Sequence, residues 1–106
     1  MNATIETKLN LNTVEAINKM WPIIKIPDTM QGNVDKSILQ YTAEKLIKKQ
    51  ISKAAKKPRK EFTLSLYLFE IVTLERYLRN HLHYWPVESL EYSLITTYKN
   101  QLHQKT

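Results

Sequence analysis

The sequence predicts an all-α fold, or an α-dominated α+β fold with one short two-stranded pair, built as a compact bundle of about four helices that includes a long basic helix. Three observations lead there. Apolar residues recur at spacings of three and four through most of the chain, the period of a helix with one face on a core. Breakers fall between these blocks: prolines at 22, 27, 58 and 86, and the single glycine, Gly32. Two short stretches, Leu9 to Glu15 and Leu64 to Glu70, echo each other, each alternating apolar and polar residues before running into a helical pattern.

The first helix is expected from about Thr13 to Trp21, with Asn12 as N-cap, Glu15 completing a capping box and Pro22 as its stop. Pro22 to Asn33 reads as an irregular connection laid over the core by Ile23, Ile24 and Ile26. From Asp35 to about Lys57 the pattern predicts a long helix whose apolar stripe is Leu39, Ala43, Leu46, Ile47, Ile51 and Ala54. Glu61 to Leu66 alternates as a short strand would. Residues 67 to 83 then place Tyr67, Phe69, Ile71, Val72, Leu74 and Leu78 around most of a helical circumference, which predicts a central helix buried between others. The last block sets Leu90, Leu94, Ile95, Tyr98 and Leu102 on one stripe, with Glu88 and Glu91 at its start and Lys99 towards its end, charges that suit the helix dipole. An isolated strand pair is marginal, so the two alternating stretches leave both fold alternatives open.

At 106 residues, 42% hydrophobic and 25% charged, the chain has the size and composition of a single globular domain over residues 1–106. It has no cysteine, hence no disulfide framework and no thiolate metal site, which favours a reducing compartment. With neither an apolar leader segment nor a run of about 18 apolar residues, it is expected to be cytoplasmic and non-membrane.

The formal charge of +6 is concentrated. Lys45, Lys48, Lys49, Lys53, Lys56, Lys57, Arg59 and Lys60 lie in a 16-residue stretch without an acid, and the other ninety residues balance to −2. On a helix, Lys45, Lys49, Lys53 and Lys56 would share one face, bordered by Lys48 and Lys57 and set opposite Ala43, Ile47 and Ala54. Like charges at this spacing repel by a few tenths of a kcal/mol per pair. The dipole at a helix C-terminus and the long lysine stems account for some of them. A polyanion accounts for all, since phosphates along a backbone are neutralised by point charges with release of counterions. Lysine dominates over arginine, which suits phosphate tracking more than base reading. Arg76 and Arg79 form a smaller second patch. The competing readings are a merely solvated lysine face and an acidic protein surface as partner.

No catalytic constellation is present. His81 and His83 are two apart and point about 200° away from each other on a helix, and no carboxylate cluster completes a metal site, so no metal and no cofactor are expected. Glu70 and Glu75 flank the central helix, where an i,i+4 ion pair of Glu75 with Arg79 is the expected role. Trp21, Tyr84 and Trp85 stand beside prolines and read either as caps of the core or as stacking residues. With one glycine there is no phosphate-cradling loop, and no nucleophile motif occurs, so the chain is expected not to be an enzyme.

In overall character, a short helical chain with one basic helix, no cysteine and no catalytic cluster, the sequence resembles accessory proteins of phages and mobile elements, among them anti-CRISPR proteins. That resemblance implies a stoichiometric inhibitor acting on a nucleic-acid-guided nuclease in the host cytoplasm. The 45–60 segment would then meet guide RNA or compete for its channel. The expected partners are thus nucleic acid, RNA favoured, or a nucleoprotein complex, with a protein effector as a possible co-partner. The alternative is a structural or assembly protein that forms homodimers or larger assemblies through the apolar stripe of its last helix, its lysines conferring only solubility.

Overall fold

A computed structural model describes residues 3–55 and 57–106 of the chain. Strand β1 (Ile5–Leu9) leads into helix α1 (Leu11–Asn18), and the long helix α2 (Met30–Lys53) follows. Strand β2 (Phe62–Leu66) leads into α3 (Leu68–His81), and a 3-10 turn at Leu82–Tyr84 precedes α4 (Leu90–Gln104). The architecture is therefore α-dominated α+β, with four helices around one antiparallel pair, and the all-α alternative falls away.

The strands lie earlier than the two echoing stretches place them: Leu9 to Glu15 is mostly α1 and Leu64 to Glu70 runs into α3, while Ile5–Leu9 pairs with Phe62–Leu66, Ile5 opposite Leu66 and Leu9 opposite Phe62. Period-two alternation turns Thr7, Leu9, Leu64 and Leu66 inward, where all four are buried, and leaves Glu6, Lys8, Thr63 and Ser65 on the more open face. A pair of strands alone would be marginal. Here the Thr7 hydroxyl donates to the Leu64 carbonyl at 2.8 Å and is 2.9 Å from the Tyr98 hydroxyl of α4. Gln101 of α4 accepts from the Lys8 amide at 2.7 Å and donates to the Lys8 carbonyl at 2.8 Å, so its side chain covers the outer edge of β1 as a third strand would.

The helix starts are set by side-chain caps, not all of them where the sequence places them. Asn10 rather than Asn12 caps α1, accepting from the Thr13 amide at 2.9 Å. Thr29 caps α2 by accepting from the Gly32 amide at 2.9 Å, which moves the start of the long helix five residues earlier than Asp35. Gly32 thus belongs to the helix and not to the connection. A β-carbon there would run into the Pro27 carbonyl, because the connection folds back across the first turn. Ser89 caps α4, accepting from the Tyr92 amide at 3.1 Å.

One hydrophobic cluster draws on every helix and both strands, with Val14, Ile17, Leu39, Leu46, Leu66, Leu74, Leu78 and Ile95 among its members. Ile23, Ile24 and Ile26 pack against it from the connection, as their sequence predicts. The stripe of α4 is consumed here: Ile95, Tyr98 and Leu102 are buried, and the surface expected for self-association is part of the core, with Leu90 left exposed. The expectation of an α3 buried all round is also corrected. Its Ile71, Leu74 and Leu78 side meets the core, while Leu68, Phe69 and Val72 remain 43–50% exposed, because α2 and α4 pack on the one side only. Among the described residues no helix is long and apolar enough to cross a membrane.

Candidate nucleic-acid interface

Helix α2 determines the site because its inward-facing stripe changes chemistry along its length. The buried positions are Gly32, Asp35, Leu39, Thr42 and Leu46, spaced three and four apart. Continuing that spacing reaches Lys49 and Lys53. Both are half-buried, and their ammonium groups stand 5.8 and 5.4 Å from the ring centre of Phe62 on β2. The sequence-predicted stripe is therefore reversed in the second half of the helix: Ile47 is 45% and Ile51 73% exposed, and Ala54 is exposed beyond the helix end. Helix α2 is long, and its lysines gather towards its C-terminal end, from Lys45 to Lys53. The helix outruns the core after Leu46, and what hangs over β2 is not an apolar strip but lysine.

Between the two elements lies an open groove of about 450 Å³, lined by Lys45, Lys48, Lys49 and Ser52 of α2 and by Thr63, Leu64 and Ser65 of β2. A smaller hollow of about 150 Å³ lies among Lys53, Lys60, Glu61 and Phe62. Helix α2 ends at Lys53 rather than at about Lys57, so Lys57 does not border a helical lysine face and lies with Arg59 and Lys60 in the connection that follows. Lys56 lies outside the described residues.

The cations divide into two groups. Lys45 donates to Glu70 at 2.7 Å, and Glu70 is fully buried. That carboxylate also accepts from the Thr42 hydroxyl at 2.9 Å and from the Tyr67 amide at 3.0 Å, where it closes the first turn of α3. Arg76 is likewise matched, donating to buried Asp35 at 2.7 Å, and Arg79 stands 3.8 Å from Glu75 in the expected i,i+4 pair. The second patch is thus largely balanced by the chain's own acids. By contrast Lys48, Lys49, Lys53, Lys57, Arg59 and Lys60 have no carboxylate within 4.0 Å among the described residues. Half-buried ammonium groups are costly unless compensated, and for Lys49 and Lys53 the Phe62 ring is a partial compensation.

An aromatic cluster that the sequence reading did not single out adjoins the groove. The Lys45 ammonium lies 5.2 Å from the Tyr41 ring centre and 4.7 Å from that of Tyr67, and the Tyr67 and Phe69 rings stack at 5.4 Å with planes 5° apart. Tyr41 and Phe69 are about half exposed. The Tyr-x-Phe spacing across a strand-to-helix junction was the available signal, hidden because both rings fit a core stripe equally well. The aromatics flagged from sequence go elsewhere. Trp21 and Trp85 pack against the core, Tyr84 meets Trp85 edge-on at 4.9 Å, and none of the three lines the groove.

Three further titratable groups, His81, Asp35 and Tyr77, are engaged within the fold. Nε2 of His81 accepts from the Lys25 amide at 3.1 Å, which leaves the proton on Nδ1 to be donated to the Tyr77 carbonyl at 2.9 Å, so both ring nitrogens are engaged. Asp35 accepts from Gln31, Arg76 and the Tyr77 hydroxyl at 3.0, 2.7 and 2.9 Å. Burial works against its charge, but those hydrogen bonds and the guanidinium more than offset it and hold the carboxyl below its ordinary value. Burial and the bond to Asp35 push the Tyr77 hydroxyl up. Among the described residues no three His, Asp or Glu side chains gather as metal ligands. No protein-family model, no curated protein and no solved structure matches the chain at a significant score.

Proposed function

We propose that this protein is a non-catalytic binder of nucleic acid, RNA in preference to DNA, or of a ribonucleoprotein, and that it works through the groove between α2 and β2. One observation carries this reading: the inward stripe of α2 turns cationic at Lys49, which lines the groove, and at Lys53, which lines the hollow beside it, and among the described residues neither ammonium group has a carboxylate within 4.0 Å. A phosphate backbone supplies the missing counter-charge without demanding bidentate geometry, the condition lysine meets best. The hydroxyls of Ser52, Thr63 and Ser65 line the same groove and suit hydrogen bonds to phosphate and ribose 2′-hydroxyls, which supports RNA. An inhibitor of an RNA-guided nuclease, its groove engaging guide RNA, is the form this reading takes if the likeness to phage accessory proteins holds.

An electrophoretic shift with RNA and DNA oligonucleotides of equal length tests it, comparing the native chain with a Lys48→Glu, Lys49→Glu, Lys53→Glu triple variant. These positions lie beyond the last core residue of α2, so the variant should fold, which a thermal melt checks. Binding should weaken on the order of 10²-fold. A folded variant that binds as well as the native chain removes the groove from consideration.

A further inference from the structure

We infer that the nucleic acid is bound as a single strand whose bases stack on the exposed rings of Tyr41 and Phe69, a ledge that half-buried Tyr67 and Lys45 hold together, beside the groove that takes its phosphates. The inference rests on the groove reading and adds the form of the ligand. The charge of Lys45 is already neutralised by buried Glu70 at 2.7 Å, so it offers little to a phosphate. What it does is hold two rings: its ammonium stands between Tyr41 on α2 and Tyr67 at the cap of α3, within 5.2 and 4.7 Å of their centres. Phe69 extends the ledge by stacking on Tyr67 with planes 5° apart.

The ledge is fixed from below and open above. Glu70 anchors Lys45 and the Tyr67 amide together, while Tyr41 keeps 50% and Phe69 43% of its surface in solvent. Leu68 and Val72 beside them are exposed to a similar degree, so the ledge lies in an apolar patch next to a cationic groove. A duplex keeps its bases stacked on one another and presents phosphates alone, for which the lysines suffice. A single strand presents phosphates and bare base faces together, and every base has a face that an aromatic ring can stack on. Along α2 the distance from Tyr41 to Lys53 is about 18 Å at the helical rise per residue. That suits a short site of about four nucleotides, with bases at the Tyr41 end and phosphates at the Lys53 end.

Fluorescence anisotropy with labelled single-stranded RNA, single-stranded DNA and a duplex, all about 12 nucleotides long, tests this at about 50 and 200 mM salt. The native chain should prefer single strands by on the order of tenfold. Phe69→Ala and Tyr41→Ala should each weaken single-strand binding by about tenfold, leave duplex binding and the salt dependence unchanged, and be rescued at position 69 by Phe69→Tyr. Equal affinity for duplex and single strand overturns the inference, as does a single-strand affinity indifferent to both alanine variants. In either case binding that still responds to charge reversal at Lys48, Lys49 and Lys53 leaves the groove reading standing. Failure of the native chain to bind any of the three probes overturns both.

Discussion

Glu70 shows how much one side chain can organise: in a fully buried position it receives the Lys45 ammonium, the Thr42 hydroxyl and the Tyr67 amide, joining α2 to the start of α3. Glu70→Ala leaves a partly buried ammonium and an uncapped amide. It should lower the unfolding free energy by about 3 kcal/mol in urea denaturation, where a loss near zero contradicts the arrangement. Gly32 makes a prediction of opposite sign to the usual rule. Alanine in place of a helical glycine ordinarily stabilises by about 1 kcal/mol. Here the added methyl meets the Pro27 carbonyl, so Gly32→Ala should destabilise, by about 1–3 kcal/mol. At Asp35 the folded-state pKa is depressed, so its contribution is fully present above the ordinary value of 3.8 and is lost as pH falls through the lower folded value. Asp35→Asn should cost about 2 kcal/mol at neutral pH and flatten the acid limb of stability, measured by thermal melts from pH 7 to 2. Sequence marked Gly32 as a breaker and Glu70 as a flanking acid. The role of Glu70 depends on Lys45, 25 positions away, and that of Gly32 on the fold-back of Pro27, five residues before it, a conformation of the connection that no periodic pattern encodes.

At the scale of elements, helix α2 is where periodicity and tertiary structure part. A spacing of three and four proves a helix but leaves open how far its stripe is covered, and the rule that apolar faces turn inward selected Leu39, Ala43, Leu46, Ile47, Ile51 and Ala54, of which Leu39 and Leu46 are buried. That rule requires something to pack against. After Leu46 the helix has outrun the core, so Ile51 stays in water while Lys49 and Lys53 continue the inward line. A pair of variants separates the covered part of the apolar stripe from the uncovered part: Leu46→Ala should cost about 3 kcal/mol, and Ile51→Ala should stay within about 0.5 kcal/mol of the native chain. Equal losses would restore the apolar stripe read from sequence. The strands were legible because alternation at Leu64 and Leu66 has period two. The echo from Leu9 to Glu15 suggested that two strands could pair but placed the first too late, since the Thr7 to Tyr98 and Lys8 to Gln101 contacts that stabilise Ile5–Leu9 span more than ninety positions.

Across the whole molecule, acids and bases divide into matched and unmatched sets. Glu70, Asp35 and Glu75 each face a cation, while the positive excess gathers along the groove and the connection behind it. This excess was legible as a charge run between Lys45 and Lys60, but its orientation was not, because a run of lysines reads alike whether it faces open water or roofs a cleft. Phosphates are the counter-charge proposed for those ammonium groups. The most direct test is the slope of log affinity against log salt for a single-stranded RNA. With about five phosphates neutralised the slope should be about −3.5, and the Lys48, Lys49, Lys53 charge-reversal variant should reduce its magnitude by about 2. A slope near zero, or one that the variant leaves unchanged, would contradict the account.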